Sequence, residues 1–263
     1  MNLNSSNDGL HKTELNDEEL LRYSRQIFLP DVDVKGQLKL NQAHIVIVGV
    51  GGLGSMTAPL LSASGVGKLT LVDFDTVDVS NLPRQIFYRE VDIGELKVDC
   101  LTRYIEAQNS QITLEKVVDK LNQQEFQDLF AKADLVLDGT DNFATRHMIN
   151  RACFATKKPL LSAAVTQFSG QVIFFDYQPA TPCYECLYTD NATEENNCAE
   201  NGVMGPAASL MASLQALEAQ KFLLGMPLDS QNTLISLNMK SLSLHKAKLS
   251  RDTECAVCGE EHK

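Results

Sequence analysis

No stretch of this 263-residue chain approaches the length of a membrane span. The polar segment Met1–Thr13 lacks the apolar core that a secretory signal requires. Cytoplasmic location is the expectation. Cations are scarce too: 23 Lys and Arg face 34 Asp and Glu, a formal net charge of −11. That balance disfavours nucleic acid and acidic membrane surfaces, since both need clustered positive charge. It suits a small ligand or a protein partner. Internal repeats and low-complexity linkers are missing as well. What remains is 44% apolar, ample for a core, in a length that permits one large domain or two small ones.

Along the chain, strand and helix patterns alternate. Residues 17–29 read as an amphipathic helix, with Asp17, Glu18 and Glu19 favouring its N-terminus. Strands are expected at 44–49, 68–73, 111–118, 134–138 and 159–164, and helices at 53–64, 95–108, 122–132 and 143–156. This order predicts a doubly wound, mainly parallel α/β sheet. After Gly170 the rhythm changes. Residues 171–176 and 233–246 read as antiparallel strands flanking a long helix at 207–224, a tail that extends the same sheet.

The run Ile45-Val46-Ile47-Val48 feeds straight into Gly49-Val50-Gly51-Gly52-Leu53-Gly54. At such a strand-to-helix junction one glycine makes a tight turn, one lets backbone N–H groups approach phosphate, and one lets helix and strand pack closely. The helix start adds free donors and a positive dipole end. Asp73, closing Leu69-Thr70-Leu71-Val72-Asp73, stands about 20 residues on, where a ribose-binding acid belongs. The pattern specifies a nucleotide and leaves its identity open.

A second group differs from that of a hydride-transfer enzyme. Ser80-Asn81-Leu82-Pro83-Arg84-Gln85 follows the second strand, Lys97 opens the next helix, and Asp141 and Asn142 follow a later strand. Arg84 and Lys97 could clamp phosphate, and Asp141 could carry Mg²⁺ through oxygen. Each also has a plain structural role available: Lys97 solvated, Arg84 in a surface ion pair, Asp141 as a helix cap. Their joint placement on one sheet edge favours the chemical reading.

Seven cysteines in such a protein point to thiols or metal ligands before disulfides. Cys183-Tyr184-Glu185-Cys186 and Cys255-Ala256-Val257-Cys258 form two C-x-x-C knuckles, the ligand set of a closed tetrahedral zinc site. Such a site would clip the C-terminal segment to the body of the domain; a redox dithiol or unrelated surface thiols are the alternatives. Cys100 and Cys153 fall in helical patterns and read as core. Cys198 lies in a polar loop whose acids would raise its pKa.

Arg22-Tyr23-Ser24-Arg25-Gln26, the glycine loop, the Ser80–Gln85 segment, Thr140-Asp141-Asn142 and both C-x-x-C pairs occur together in one order. In these the chain resembles the ThiF/MoeB/HesA family, adenylyltransferases related to the ubiquitin-activating enzymes. The resemblance runs from about Asp17 to Glu260 and is nearer the ThiF branch around Cys183–Pro206. It implies a Rossmann-like fold in one domain over 17–260, after a flexible segment at 1–16. Residues 17–165 would form the nucleotide-binding half, and 166–260 the half for carrier and zinc. It also implies ATP-dependent adenylation of the C-terminal Gly-Gly carboxylate of a ubiquitin-like sulfur carrier, followed by sulfur delivery from a donor protein. The carrier would be ThiS-like, for thiamine synthesis. The molybdopterin synthase small subunit stays open as an alternative carrier, and a nucleotide-binding module without turnover as another class. By the same resemblance Gly52 and Asp73 hold the nucleotide, and Asn81, Arg84 and Lys97 contact phosphates. Asp141 binds Mg²⁺, Arg25 reaches the neighbouring subunit's site in a homodimer, and Cys198 handles sulfur.

Overall fold

The computed structural model describes residues 13–189 and 202–259. Eight strands form one sheet in the order β3-β2-β1-β4-β5-β6-β7-β8. His44–Val48 (β1), Lys68–Val72 (β2), Thr113–Val117 (β3), Leu135–Asp138 (β4) and Leu160–Thr166 (β5) pair in parallel. Every residue of β1 and β4 is buried, as expected of β-branched and leucine-rich strands covered on both faces. Ser169–Phe175 (β6), Thr233–Asn238 (β7) and Ser243–Lys248 (β8) continue the sheet antiparallel. The expected extension by the tail is therefore present.

Two apolar layers cover the sheet. One packs Gly54–Ala63 (α4), Lys97–Gln108 (α5) and Gly205–Leu224 (α8) against Ile45, Ile47, Leu69 and Leu71. The other packs Gln123–Phe130 (α6) and Phe143–Thr156 (α7) against Val46, Val48 and Val136, and includes Cys183, Cys255 and Cys258. Cys100 and Cys153 are buried core residues, as their helical positions predict. Among the described residues no helix is long and apolar enough to cross a membrane.

The N-terminal region differs from the single helix expected at 17–29. Asn16 caps Asp17–Arg22 (α1) in a reciprocal bond with Glu19, but the helix stops at Tyr23 and resumes as Ser24–Ile27 (α2). Tyr23 is buried, and its hydroxyl accepts from Asn109 Nδ2 at 3.0 Å. Asp33–Gln42 (α3) has no counterpart among the expected elements. Gly36 sits inside it, and a Cβ there would come 2.8 Å from Leu224 at the end of α8. Close helix contact is what that glycine allows, at the cost of a readable helical pattern.

Connectivity reverses beside β1: the chain proceeds outward through β2 and β3, then returns to β4 on the other flank. Open α/β sheets bind ligands at such a switch point, beyond the carboxyl ends of the strands.

Candidate active site

A cavity of about 660 Å³ opens at that switch point. Its floor is the glycine loop, where Gly49 has φ +85 and a Cβ would crowd Gly139 at 3.1 Å. Gly51 and Gly52 line the cavity. Gly54 acts differently: a Cβ there would lie 2.0 Å from the Gly49 carbonyl oxygen, so this glycine lets α4 start against the loop. All four expected glycines meet in one turn, with distinct duties.

Asp73 leaves the end of β2 and ties down the loop's far side. One carboxylate oxygen accepts from Val50 N–H and the other from Asp75 N–H, both at 2.8 Å. Burial pushes its pKa up, against the opposing pull of those bonds and of Lys97. Val72, Leu121, Phe126 and Met148 supply an apolar wall beside it.

The opposite rim is cationic. Asp78 caps the turn Val79–Asn81, accepting from the Ser80 N–H at 2.8 Å and its hydroxyl at 2.6 Å, bonds that hold this carboxyl below its ordinary pKa. Asn81 closes the cap by accepting from Asp78 N–H at 3.2 Å. Arg84 donates to the Ser80 carbonyl at 2.7 Å, which folds its guanidinium over the turn. Lys97 opens α5 as expected and is buried, with Asp75 as its counter-ion at 2.7 Å. Gly205 starts α8 so close to this rim that a Cβ would meet the Pro83 carbonyl oxygen at 2.2 Å.

Beyond β4, the buried Asp138 accepts from Thr140 N–H at 2.9 Å, the Thr140 hydroxyl at 2.7 Å and the Ser162 hydroxyl at 2.6 Å. This fixes the turn that presents Asp141, exposed and lining the cavity. Asn142 caps α7 by accepting from Thr145 N–H at 2.9 Å, so the capping role open to Asp141 falls to its neighbour.

Gly49, Gly51, Gly52, Asp73, Ser80, Asn81, Arg84, Lys97, Asp141 and Asn142 thus line one cavity. Arg25 is exposed on α2 and does not line it. Cys198 lies outside the described residues. Among the lining residues that sequence reading does not single out are Asp75 and Arg146. Asp75 was legible as the second acid of Asp73-Phe74-Asp75. Arg146, buried on α7, donates to the Thr140 and Ala163 carbonyls with Asp138 at 3.7 Å; a cation within an otherwise buried helix stretch was its signal.

The four knuckle cysteines form a separate centre away from the cavity. Their sulfurs all lie within 4.8 Å of one another, and the pairs Cys183–Cys255 and Cys186–Cys258 stand at 3.6 and 3.4 Å. A tetrahedral zinc with Zn–S near 2.3 Å sets sulfurs about 3.8 Å apart, so the group fits that ion. Donors already face the sulfurs: Asp252 N–H to Cys186 at 3.4 Å, Val257 N–H to Cys255 at 3.5 Å and Asn150 Nδ2 to Cys183 at 3.8 Å. The Cys183 thiol, together with backbone donors, lowers Cys186 to about 5, while burial and its ionised neighbour push Cys258 up to about 12. Crowded sulfurs without a cation cannot all ionise; a dication removes that penalty. His147, buried on α7, meets Glu185 of the first knuckle at 2.8 Å.

The ThiF family model matches residues 23–257. The molybdopterin-synthase adenylyltransferase of Escherichia coli (strain K12) is 40% identical over 247 residues, 94% of this chain and 99% of that protein. The sulfur carrier protein ThiS adenylyltransferase of the same organism is also 40% identical, over 245 residues covering 93% of this chain and 97% of that protein. Among solved structures, E. coli MccB with ATP matches with a TM-score of 0.77 at 26% identity, covering 90% of this chain and 74% of that one.

Proposed function

The chain belongs to the ThiF family, and from that premise we propose that it joins AMP to the C-terminal carboxylate of a small ubiquitin-like sulfur carrier protein. One observation carries the proposal: the glycine loop, Asp73, Asn81, Arg84, Lys97 and Asp141 converge on a single cavity. In the reaction, a carboxylate oxygen of the carrier's Gly-Gly tail attacks the α-phosphorus of ATP. The α–β anhydride bond breaks, and pyrophosphate leaves with the electron pair. A carboxylate is already ionised at neutral pH, so no general base is required. Alignment and charge neutralisation then make up the catalysis.

Asp73 takes the ribose, and the N–H groups of Gly51 and Gly52 face the phosphates. Asn81, Arg84 and Lys97 hold the triphosphate from the other rim. Lys97 is released to it from Asp75, whose half-exposed carboxylate a polyphosphate can replace as counter-ion. Asp141, one exposed carboxylate facing a phosphate site, suits Mg²⁺, which completes its shell with phosphate oxygens and water and offsets their charge. Cys183, Cys186, Cys255 and Cys258 hold a structural Zn²⁺. The half of the chain over 17–165 serves the nucleotide, and that over 166–260 serves carrier and zinc.

The ThiS-like carrier is favoured by the sequence around Cys198, and a sulfur donor then converts the adenylate to a thiocarboxylate. The molybdopterin synthase small subunit is the second reading, favoured by the equal identity to the molybdopterin-type relative. Exchange of labelled pyrophosphate into ATP, run with each carrier in turn, tests both levels. Exchange with the ThiS-like carrier alone supports the first reading, and exchange with the other alone selects the second. Release of ADP and phosphate would mean attack at the γ-phosphorus and sink the adenylation reading.

A further inference from the structure

Gln215 on α8 is fully buried, and its amide bonds to three other elements. Nε2 donates to the Asp138 carbonyl at 2.9 Å and to the Leu161 carbonyl at 3.1 Å, one from each of the paired strands β4 and β5. Oε1 accepts from the Thr57 hydroxyl of α4 at 3.1 Å. Carbonyls only accept, so the amide has one orientation in which all these bonds form. The Asp138–Gly139 peptide is thereby gripped at both ends. Its carbonyl is held by Gln215, and its N–H, on Gly139, donates to the Val48 carbonyl of β1 at 2.9 Å. A peptide unit is planar, so the two bonds fix its tilt. The site depends on that tilt from both sides. Gly139 lies against the glycine loop, where a Cβ on Gly49 would come within 3.1 Å of it, and the turn that follows presents Asp141.

We propose that Gln215 is a positioning residue for the metal site: it touches neither nucleotide nor ion, and through the Asp138–Gly139 peptide it sets where Asp141 meets the Mg²⁺ on the triphosphate. This rests on the nucleotide and Asp141 readings above. The Asp138 carboxylate steadies the same turn through Thr140 and Ser162, so Asp138 is held by main chain and side chain together. Mg²⁺ demands near-ideal octahedral geometry at about 2.0–2.1 Å, so a carboxylate displaced by part of an ångström binds it less well. A methionine of similar volume in place of Gln215 would leave two buried carbonyls without this donor, a cost relieved by turning the peptide.

The test measures how far saturating Mg²⁺ tightens ATP binding relative to ATP with chelator, in the wild-type chain, Gln215→Met and Gln215→Glu, with adenosine titrated separately. In folded Gln215→Met that tightening should shrink about 10-fold, while metal-free ATP and adenosine bind as in wild type. A merely structural role would lower the melting temperature and leave the tightening as it was, so an unchanged value overturns the proposal. So does an equal loss for adenosine, which marks collapse of the whole site. Glutamic acid keeps one donor while protonated and loses it on ionising, so Gln215→Glu should lose metal tightening as pH rises through its burial-raised pKa. Should methionine prevent folding, that variant carries the test, and tightening that tracks wild type at every pH overturns the proposal. A wild-type chain whose ATP binding ignores Mg²⁺ defeats the Asp141 reading on which the proposal stands. One that binds neither ligand defeats the nucleotide reading itself, and both results are distinct from a silent variant.

Discussion

Asp73 shows how one residue couples the fold to the ligand. It anchors the glycine loop through Val50, and burial raises its pKa from the ordinary value. An acid whose native pKa is raised binds its proton more readily folded than unfolded. Its ionised form therefore detracts from stability as pH rises through the window between the unfolded and folded values. Below that window the proton weakens its acceptance from the loop and, on the proposed reading, from a ribose. Nucleotide affinity should thus start to fall with decreasing pH before ordinary carboxylates titrate, and Asp73→Asn should be weak at every pH and lack that limb. Calorimetric titration of ATP across pH 4–8 reads this directly, roughly bracketing the carboxylate range. Asp141 lends itself to a simpler test. Its exposed side chain does not cap α7, so Asp141→Ala should fold normally and lose pyrophosphate exchange by about 100-fold or more. A near-normal rate would place the metal elsewhere. These positions were legible because strand ends and turn chemistry fix them within a few residues. Arg146 and Gln215 were harder to read because their roles depend on contacts made across the fold.

At the scale of elements, strand and helix patterns carried the doubly wound, mainly parallel sheet with its antiparallel extension, while the strand order came from the structure. What stayed hidden had a tertiary cause. In α3 the Gly36 contact with Leu224 replaces a helix-forming residue, so the local pattern is weak where the packing is tight. At Tyr23 a buried hydroxyl bond to Asn109 breaks a helix that the sequence alone would continue. The knuckles behave oppositely, since two C-x-x-C spacings announce a shared centre however far apart they lie. Asn150 holds the first knuckle from α7, donating to Cys183 Sγ and accepting from Tyr184 N–H at 3.0 Å, while the second knuckle helps tie residues 249–259 to that core, together with Leu249 and the Asp252 N–H bond to Cys186. Elemental analysis should find one Zn²⁺ per chain. Cys255→Ser should lose it, and a loss of about 3 kcal/mol would lower the melting temperature by roughly 6–12 °C for a chain this size. A serine variant that keeps both metal and melting temperature refutes the assignment.

For the whole molecule, the question is where Arg25 acts. Its own cavity does not include it, and it lies exposed on α2, close in sequence to Leu21, Phe28 and Leu29, which are 77%, 74% and 53% exposed. On the homodimer reading, these exposed apolar side chains near Arg25 in sequence belong to the surface a second copy would cover. In a two-fold dimer that surface is self-complementary, and a residue placed on it reaches the partner's site as the partner's copy reaches back. Arg25→Ala should then remain folded and dimeric while losing exchange. Lys97→Ala should be inactive for a different reason, having lost a phosphate ligand in its own cavity. When the two inactive proteins are mixed and allowed to trade subunits, half the dimers combine one of each. Each such dimer carries one site with both residues intact and one with neither, so activity should return to about a quarter of the wild-type level. Light scattering and tagged-subunit capture would establish that exchange had occurred. No recovery among demonstrably mixed dimers would remove Arg25 from the neighbour's site, and the exposed apolar side chains near it in sequence would then need a different partner.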